Sequence, residues 1–137
     1  MHIEELRASQ IPEVVQLWHD AGLTRPWNDP AADARQALAT ETSTVLVAVE
    51  NDAIIASVMV GFDGHKGWVY YVAVAPGQQG RGLGRIIMDA AIKWLEKFEA
   101  VELMLLVREG NEQVQGFYES LGFGRDEVFV MSRRLQS

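Results

Sequence analysis

The chain has 137 residues, a length that fits one domain with a real core. It is 48% hydrophobic and 23% charged, which excludes a disordered chain, and it has no cysteine, which excludes a disulfide framework, thiolate metal ligands and a cysteine nucleophile. Lys+Arg 12 against Asp+Glu 19 leave a net charge of −7, which argues against non-specific binding to nucleic acid or to an anionic membrane, since both are polyanions.

The start, Met1-His2-Ile3-Glu4-Glu5-Leu6, carries acids where a signal peptide carries bases. No apolar run approaches the ~20 residues of a membrane helix, so the expectation is a cytoplasmic protein. Residues 3–7 read as a short first strand. Residues 10–22 follow helical spacing through Ile11, Val14, Val15 and Trp18, with Ser9 as N-cap, Pro12 in the first turn and Gly22 as the stop. Asp29-Pro30 caps a second helix running to about Thr40, with a shallow alanine stripe. The character then turns apolar and β-branched. Residues 44–50 and 53–62 read as a hairpin closed by Asn51-Asp52. A second turn, Asp63-Gly64-His65-Lys66-Gly67, leads to a third strand over 68–75, ended by Pro76-Gly77. Such near-continuous apolar runs predict strands covered on both faces.

Helical periodicity returns from Gly82 to Phe98, where Leu83, Ile86, Ile87, Ala90, Ala91, Trp94 and Leu95 form an unbroken stripe. Residues 101–107 read as a strand. Residues 111–121 read as a short helix with Val114, Phe117, Tyr118 and Leu121 on one face and Gly122 as its stop, and 128–134 as a last strand. The order β-α-α-β-β-β-α-β-α-β implies a mixed sheet with a parallel crossover, built as a single α/β domain over 1–137.

The informative stretch is Val72-Ala-Val-Ala-Pro-Gly-Gln-Gln-Gly-Arg-Gly-Leu-Gly-Arg85. A strand ends, Gly77, Gly80, Gly82 and Gly84 follow, and the strongest helix begins. Glycines allow positive φ and close approach of the backbone to a ligand. The free amides of a first helical turn and the positive end of the helix dipole then make an anion site. Arg81 and Arg85 add positive charge. A ligand-free strand-to-helix turn needs only one or two glycines. The spacing fits neither a dinucleotide-binding Gly-x-Gly-x-x-Gly loop nor a Walker loop.

Gln79-Gly-Arg-Gly-Leu-Gly84 after Val72-Ala-Val-Ala-Pro76 resembles the acetyl-coenzyme A signature of the GNAT superfamily of N-acetyltransferases. The distal Asn111 and Phe117-Tyr118-Glu119-Ser120-Leu121-Gly122-Phe123 match the same superfamily. Arg25-Pro-Trp-Asn-Asp-Pro30 and Gly61-Phe-Asp-Gly-His-Lys-Gly67 further resemble a small bacterial YpeA-like subgroup. The resemblance implies a splayed mixed sheet of about 6–7 strands flanked by about four helices, with acetyl-CoA in the gap between the 68–74 and 101–107 strands. It implies that the pyrophosphate sits on Gln79, Gly80, Arg81, Gly82, Leu83 and Gly84, with Arg85 nearby. It also implies that the pantetheine pairs with Val72 and Val74, that the Val74 N–H polarises the thioester carbonyl, and that Asn111 bonds the pantetheine arm. Tyr118 corresponds to the tyrosine that protonates the departing sulfur, although its place one turn from Val114 and Leu121 also suits a core residue.

Acyl transfer to an amine needs a neutral amine, a donor for the developing oxyanion and a proton for the thiolate. Many relatives carry a glutamate on the strand before the loop; here Trp68-Val-Tyr-Tyr-Val-Ala-Val74 has no carboxylate. Tyr70 or Tyr71 facing the cleft would order a water chain, and Asp63 and His65 are alternatives that equally suit plain turn chemistry. Trp27 and Asp29 border the expected acceptor pocket, where an indole and a carboxylate suit a cationic amine; a proline-rigid loop is the plainer account. Substrate-binding candidates are therefore Trp27, Asp29, Asp63 and Tyr70. His2 and His19 lack metal-ligand spacing, so no metal is expected. Gly116 inside a helix suggests close approach or simple tolerance.

The reading is an acetyl-CoA-dependent N-acetyltransferase acting on a primary amine of a small molecule or protein, by direct attack in a ternary complex. The alternative is a non-catalytic acyl-CoA-binding or sensing module of the same fold. No nucleic-acid or membrane partner is expected. The last strand could supply an edge for a homodimer, and a monomer is equally allowed.

Overall fold

Three long strands absorb the β-branched runs of the sequence. In the computed structural model, which describes residues 1–136, they are β2 (Ser43–Glu50), β3 (Ala53–Phe62) and β4 (Gly67–Val74). With β1 (His2–Glu5) and β5 (Leu103–Met104) they form one sheet in the order β1-β2-β3-β4-β5. All neighbours are antiparallel except β4 and β5, which run parallel. Asn51 and Asp52 take φ of 52° and 63°, the two left-handed residues that a tight hairpin turn requires, so the β2–β3 hairpin forms where its turn pair predicts.

The helices are α1 (Ile11–Asp20), α2 (Pro30–Ala39), α3 (Leu83–Leu95) and α4 (Glu112–Ser120). α1 and α2 cover one face of the sheet. Ile11, Val14, Leu17 and Trp18 of α1 and Ala34 and Ala37 of α2 share a core with Val45, Val47, Val49 and Ala73. α3 covers the other face, where Leu83, Ile87, Met88, Ala91 and Leu95 are buried. Gly67 is fixed by that packing: a Cβ there would lie 2.6 Å from Leu95 Cδ1. Coverage on both faces explains why the six central positions of β2, 44–49, are all buried.

The chain divides into two compact units, Met1–Leu106 and Val107–Ser137. The larger holds the sheet and α1–α3; the smaller holds α4.

Three expectations need correction. Ser9 does not cap α1; it lies in a 3-10 turn over Ala8–Gln10, whose preceding Arg7 N–H donates to Gln10 Oε1 (2.8 Å). The strand expected over 101–107 is reduced to Leu103–Met104, because its partner β4 offers a ladder only at Gly67 and Trp68. The strand expected over 128–134 does not form among the described residues, so the sheet has five strands rather than six or seven. Val128, Phe129 and Val130 have strand propensity, but a strand exists only in a ladder, and these side chains stay exposed (Phe129 83%).

Candidate active site

The backbone of β4 changes sides halfway along. At the β3–β4 turn, Asp63 N–H donates to the Lys66 carbonyl (3.1 Å). Counting along the antiparallel ladder from that pair, Trp68 and Tyr70 turn their peptide groups toward β3, while Gly67 and Val69 turn theirs away. The Gly67 N–H accordingly donates to the Glu102 carbonyl on the β5 side (2.9 Å). At the far end, Ala75 N–H donates to the Ile55 carbonyl (2.9 Å), so Ala73 also faces β3, and Val72 and Val74 face away. Ser57 pairs with Ala73 and Met59 with Tyr70, so Val58 alone opposes Tyr71 and Val72. This one extra residue is a β-bulge, and it reverses the parity of everything after it. The β4–β5 ladder ends at Trp68 and Met104. Val72 and Val74 therefore present peptide N–H and C=O groups to a side where, among the described residues, no strand pairs with them.

The bulge is centred on Tyr71, whose φ of 52° is left-handed. A side-chain-bearing residue held there costs of order 1–3 kcal/mol. The Tyr71 ring stacks on Trp18 (centroids 3.9 Å, 14° between planes). Trp18 Nε1–H donates to Ser57 Oγ (2.8 Å), and the Ser57 hydroxyl donates to the Tyr71 carbonyl (2.9 Å). The Tyr71 phenol donates to Asp33 Oδ2 on the first turn of α2 (2.8 Å). Partial burial, this bond and the neighbouring Asp29 charge push its pKa well up.

β4 runs into the glycine loop. Gly77, Gly80 and Gly82 take φ of 87°, 84° and 74°, and a Cβ added at any of them meets no atom within 4 Å. Gly82 is the N-cap of α3 and offers no side-chain cap; the first intrahelical bond runs from Ile86 N–H to the Gly82 carbonyl (3.1 Å). The first-turn amides of Leu83 and Gly84 thus have no partner within the helix and look along its axis. Gln79 and Gly80 are exposed beside them, and Arg85 stands on the first turn. Arg81 is braced rather than simply poised for an anion. Its guanidinium forks onto Glu50 at the end of β2 (3.1 and 2.9 Å) and donates to Gln78 Oε1 (2.6 Å). The Arg81 guanidinium holds the Glu50 carboxyl below its usual range.

The acceptor-side candidates lie in the same larger unit. Trp27 is 55% exposed in the α1–α2 loop. Asp29 caps α2 through Ala32 N–H (3.1 Å). Asp63 Oδ1 accepts from His65 N–H (2.8 Å) and Lys66 N–H (2.6 Å), and Oδ2 accepts from Trp68 Nε1 (3.1 Å). Those backbone bonds hold its pKa down, so Asp63 is first a turn anchor. Tyr70 is 47% exposed, and partial burial with the Asp63 charge pushes its phenol up. Tyr71 is engaged with Asp33 and Trp18 instead of sharing a role with Tyr70.

In the smaller unit, Asn111 is the N-cap of α4, its Oδ1 accepting from Val114 N–H (3.3 Å). Tyr118 sits edge-on between Phe117 (5.0 Å) and Phe123 (5.7 Å), and burial pushes its pKa up to about 12. An added Cβ at Gly116 meets no atom within 4 Å, so that glycine does not serve side-chain packing.

Sequence reasoning missed Ser57, Asp33 and Glu50 as participants and read Trp18 as core only. Their partners lie 14 to 39 positions away, so no local motif marks them. The lone buried serine inside an apolar strand was the one available signal.

Comparison with known proteins gives a consistent result. The model of the Acetyltransferase (GNAT) family matches residues 11–123. An acetyltransferase of Yersinia enterocolitica is 37% identical over 135 residues, covering 98% of this chain and 96% of its own. An acetyltransferase of Yersinia pestis is 36% identical over the same shares. Among solved structures, AAC(6')-Iy in complex with a bisubstrate analogue, CoA-S-monomethyl-acetylneamine, superposes with a TM-score of 0.82 at 16% identity, over 97% of each chain. An aminoglycoside 6'-N-acetyltransferase of Acinetobacter haemolyticus superposes with a TM-score of 0.80 at 18% identity, over 99% of this chain and 100% of its own. These two likenesses concern the fold. The family match spans most of the chain and the sequence relatives nearly all of it, and on that ground this protein belongs to the GNAT family of acetyltransferases.

Proposed function

We propose that the chain transfers the acetyl group of acetyl-CoA to a primary amine by direct attack in a ternary complex. The observation that carries this reading is the parity switch in β4, which aims the Val72 and Val74 peptide groups outward just before the amide-rich start of α3. The residues fit the cosubstrate: an extended arm can pair with an unladdered strand edge, and three left-handed glycines leave room that a Cβ would occupy. Acetyl-CoA supplies the activated thioester. Val74 N–H donates to the acyl oxygen as negative charge develops on it, a contribution that preorganised donors make without reorganisation. Gln79, Gly80, Gly82, Leu83 and Gly84 offer backbone amides to the pyrophosphate. Arg81 and Arg85 add positive charge, and Arg81 also braces the loop on Glu50. Tyr118 gives a proton to the departing sulfur, and a phenol held near 12 stays protonated for that task. Asn111 bonds the pantetheine arm. The reading needs no metal.

Trp27, Asp29, Asp63 and Tyr70 form the acceptor side in this reading, with aromatic faces and carboxylates suited to an ammonium group. The aminoglycoside acetyltransferases among the structural neighbours support a small, amine-bearing acceptor. The test is thiol release from acetyl-CoA at alkaline pH over a panel of polyamines, aminoglycosides and amino acids. Amine-dependent release with at least one class is expected. Binding of acetyl-CoA with no release across the panel would replace the reading with a sensing module, which the carboxylate-free β4 favours.

A further inference from the structure

We infer that Ser57, Trp18 and Asp33 act as a three-point clamp on Tyr71, and that these positioning residues set the aim of the Val72 and Val74 peptide groups. The inference rests on the reading that those groups receive the acyl arm.

The starting observation is a conformation that needs explaining. Tyrosine gains nothing locally from a left-handed φ, and a glycine would adopt it without strain. Something must therefore hold Tyr71 there. Three contacts converge on this single residue from three different elements. From β3, the Ser57 hydroxyl takes the Tyr71 carbonyl, fixing the peptide plane that joins Tyr71 to Val72. From α1, Trp18 fixes that hydroxyl by donating to its oxygen, and the same indole stacks on the Tyr71 ring. From α2, Asp33 takes the phenol hydrogen. Ser57 is fully buried, as is Trp18, so neither bond has water as an alternative partner. A serine placed in an otherwise apolar strand, with its donor used on the bulge and its acceptor on the indole that stacks there, is a device for that bulge. Release of the clamp lets the 71–72 peptide rotate toward ordinary strand geometry. Val72 and Val74 would then lose the direction that the bulge gives them.

The test compares Ser57→Ala, Tyr71→Phe, Asp33→Ala and Asp33→Asn in the full chain, with an amine that the wild type acetylates. Calorimetry counts acetyl-CoA sites and gives Kd, so kcat is expressed per competent site. Ser57→Ala is expected to lower kcat up to about a hundred-fold, and Tyr71→Phe and Asp33→Ala about ten-fold each, as misplacement of a reacting group does. Acetyl-CoA Kd should weaken by much less than kcat falls, since the glycine loop is untouched and only the arm loses its pairing. Tyr71→Phe combined with Asp33→Ala should be no worse than either alone, because both remove the same bond. Asp33→Asn keeps an acceptor for the phenol and should restore kcat to within about two-fold of wild type. The clamp is overturned if kcat per competent site is unchanged in Ser57→Ala and Tyr71→Phe. It is also overturned if their only effect is a loss of acetyl-CoA sites, which marks plain misfolding. Asp33→Asn falling as far as Asp33→Ala would show that Asp33 acts through its charge and would remove it from the clamp. A wild type that turns over while these variants lose nothing refutes the clamp alone and leaves the transferase reading standing.

Discussion

The two halves of β4 differ in what lies beside them. Residues 67–68 lie between two paired neighbours, with Trp68 bonded toward β3 and Gly67 toward the β5 side. Residues 72–74 keep β3 on one side only, through Ala73, and turn Val72 and Val74 to the other. Valines serve in both halves, so a valine side chain does not mark the difference. One inserted residue converts a ladder into an unpaired edge, so the proposed site needs no special side chain on the strand.

Adjacent proline substitutions break that comparison most directly. Val74→Pro removes an N–H that the β3 ladder does not use, so Tm should move little. The same change removes the proposed oxyanion donor, so kcat should fall by about two to three powers of ten. Ala73→Pro, one residue earlier, removes a ladder donor in the buried core and should cost about 3 kcal/mol of stability, read by urea unfolding. Equal stability loss at both positions would show that the parity switch is absent.

Tyr118→Phe sharpens the comparison by testing the proton separately from the donor. Loss of a positioned acid costs about a hundred-fold in kcat, with acetyl-CoA Kd nearly unchanged. Because burial pushes the Tyr118 phenol up to about 12, it remains the protonated donor as pH rises. The wild-type kcat should therefore climb as the acceptor amine is neutralised and show no falling limb below about pH 11. A falling limb near pH 9 to 10, lost in Tyr118→Phe, would mean an ordinary phenol and a different environment.

Local signals made much of the larger unit legible. Asn51-Asp52 marks its hairpin because two left-handed residues in succession favour Asn and Asp. The α3 stripe and the glycine loop are equally local. The bulge was not legible, because Tyr71 carries no glycine signature and is held by Ser57, Trp18 and Asp33 from distant segments. For the same reason the loop's arginines looked equivalent. Only the fold shows Arg81 committed to Glu50. The 128–134 run misled because β-branched composition reports propensity, whereas pairing depends on a partner edge.

Two glycines give the smaller effects and set backbone proposed to hold a ligand against backbone with no such role. Gly82→Ala forces a Cβ onto a φ of 74°, which costs about 1 kcal/mol of stability even though no atom crowds it. It should also weaken acetyl-CoA binding, measured by calorimetry, because the new methyl enters the open space where the proposal puts the pyrophosphate.

Gly116→Ala should act in the opposite direction. Gly116 lies inside α4 and is not among the glycines with positive φ, and an added Cβ meets no atom within 4 Å. Alanine there removes the entropy that glycine loses on becoming helical, worth about 0.5 to 1 kcal/mol. Tm should rise by about 4 °C, since a change near 1 kcal/mol shifts a domain of this size by that much. If the substitution raises Tm and leaves acetyl-CoA Kd alone, Gly116 is merely tolerated. If Tm rises while Kd weakens, the open space beside this glycine is needed by the coenzyme.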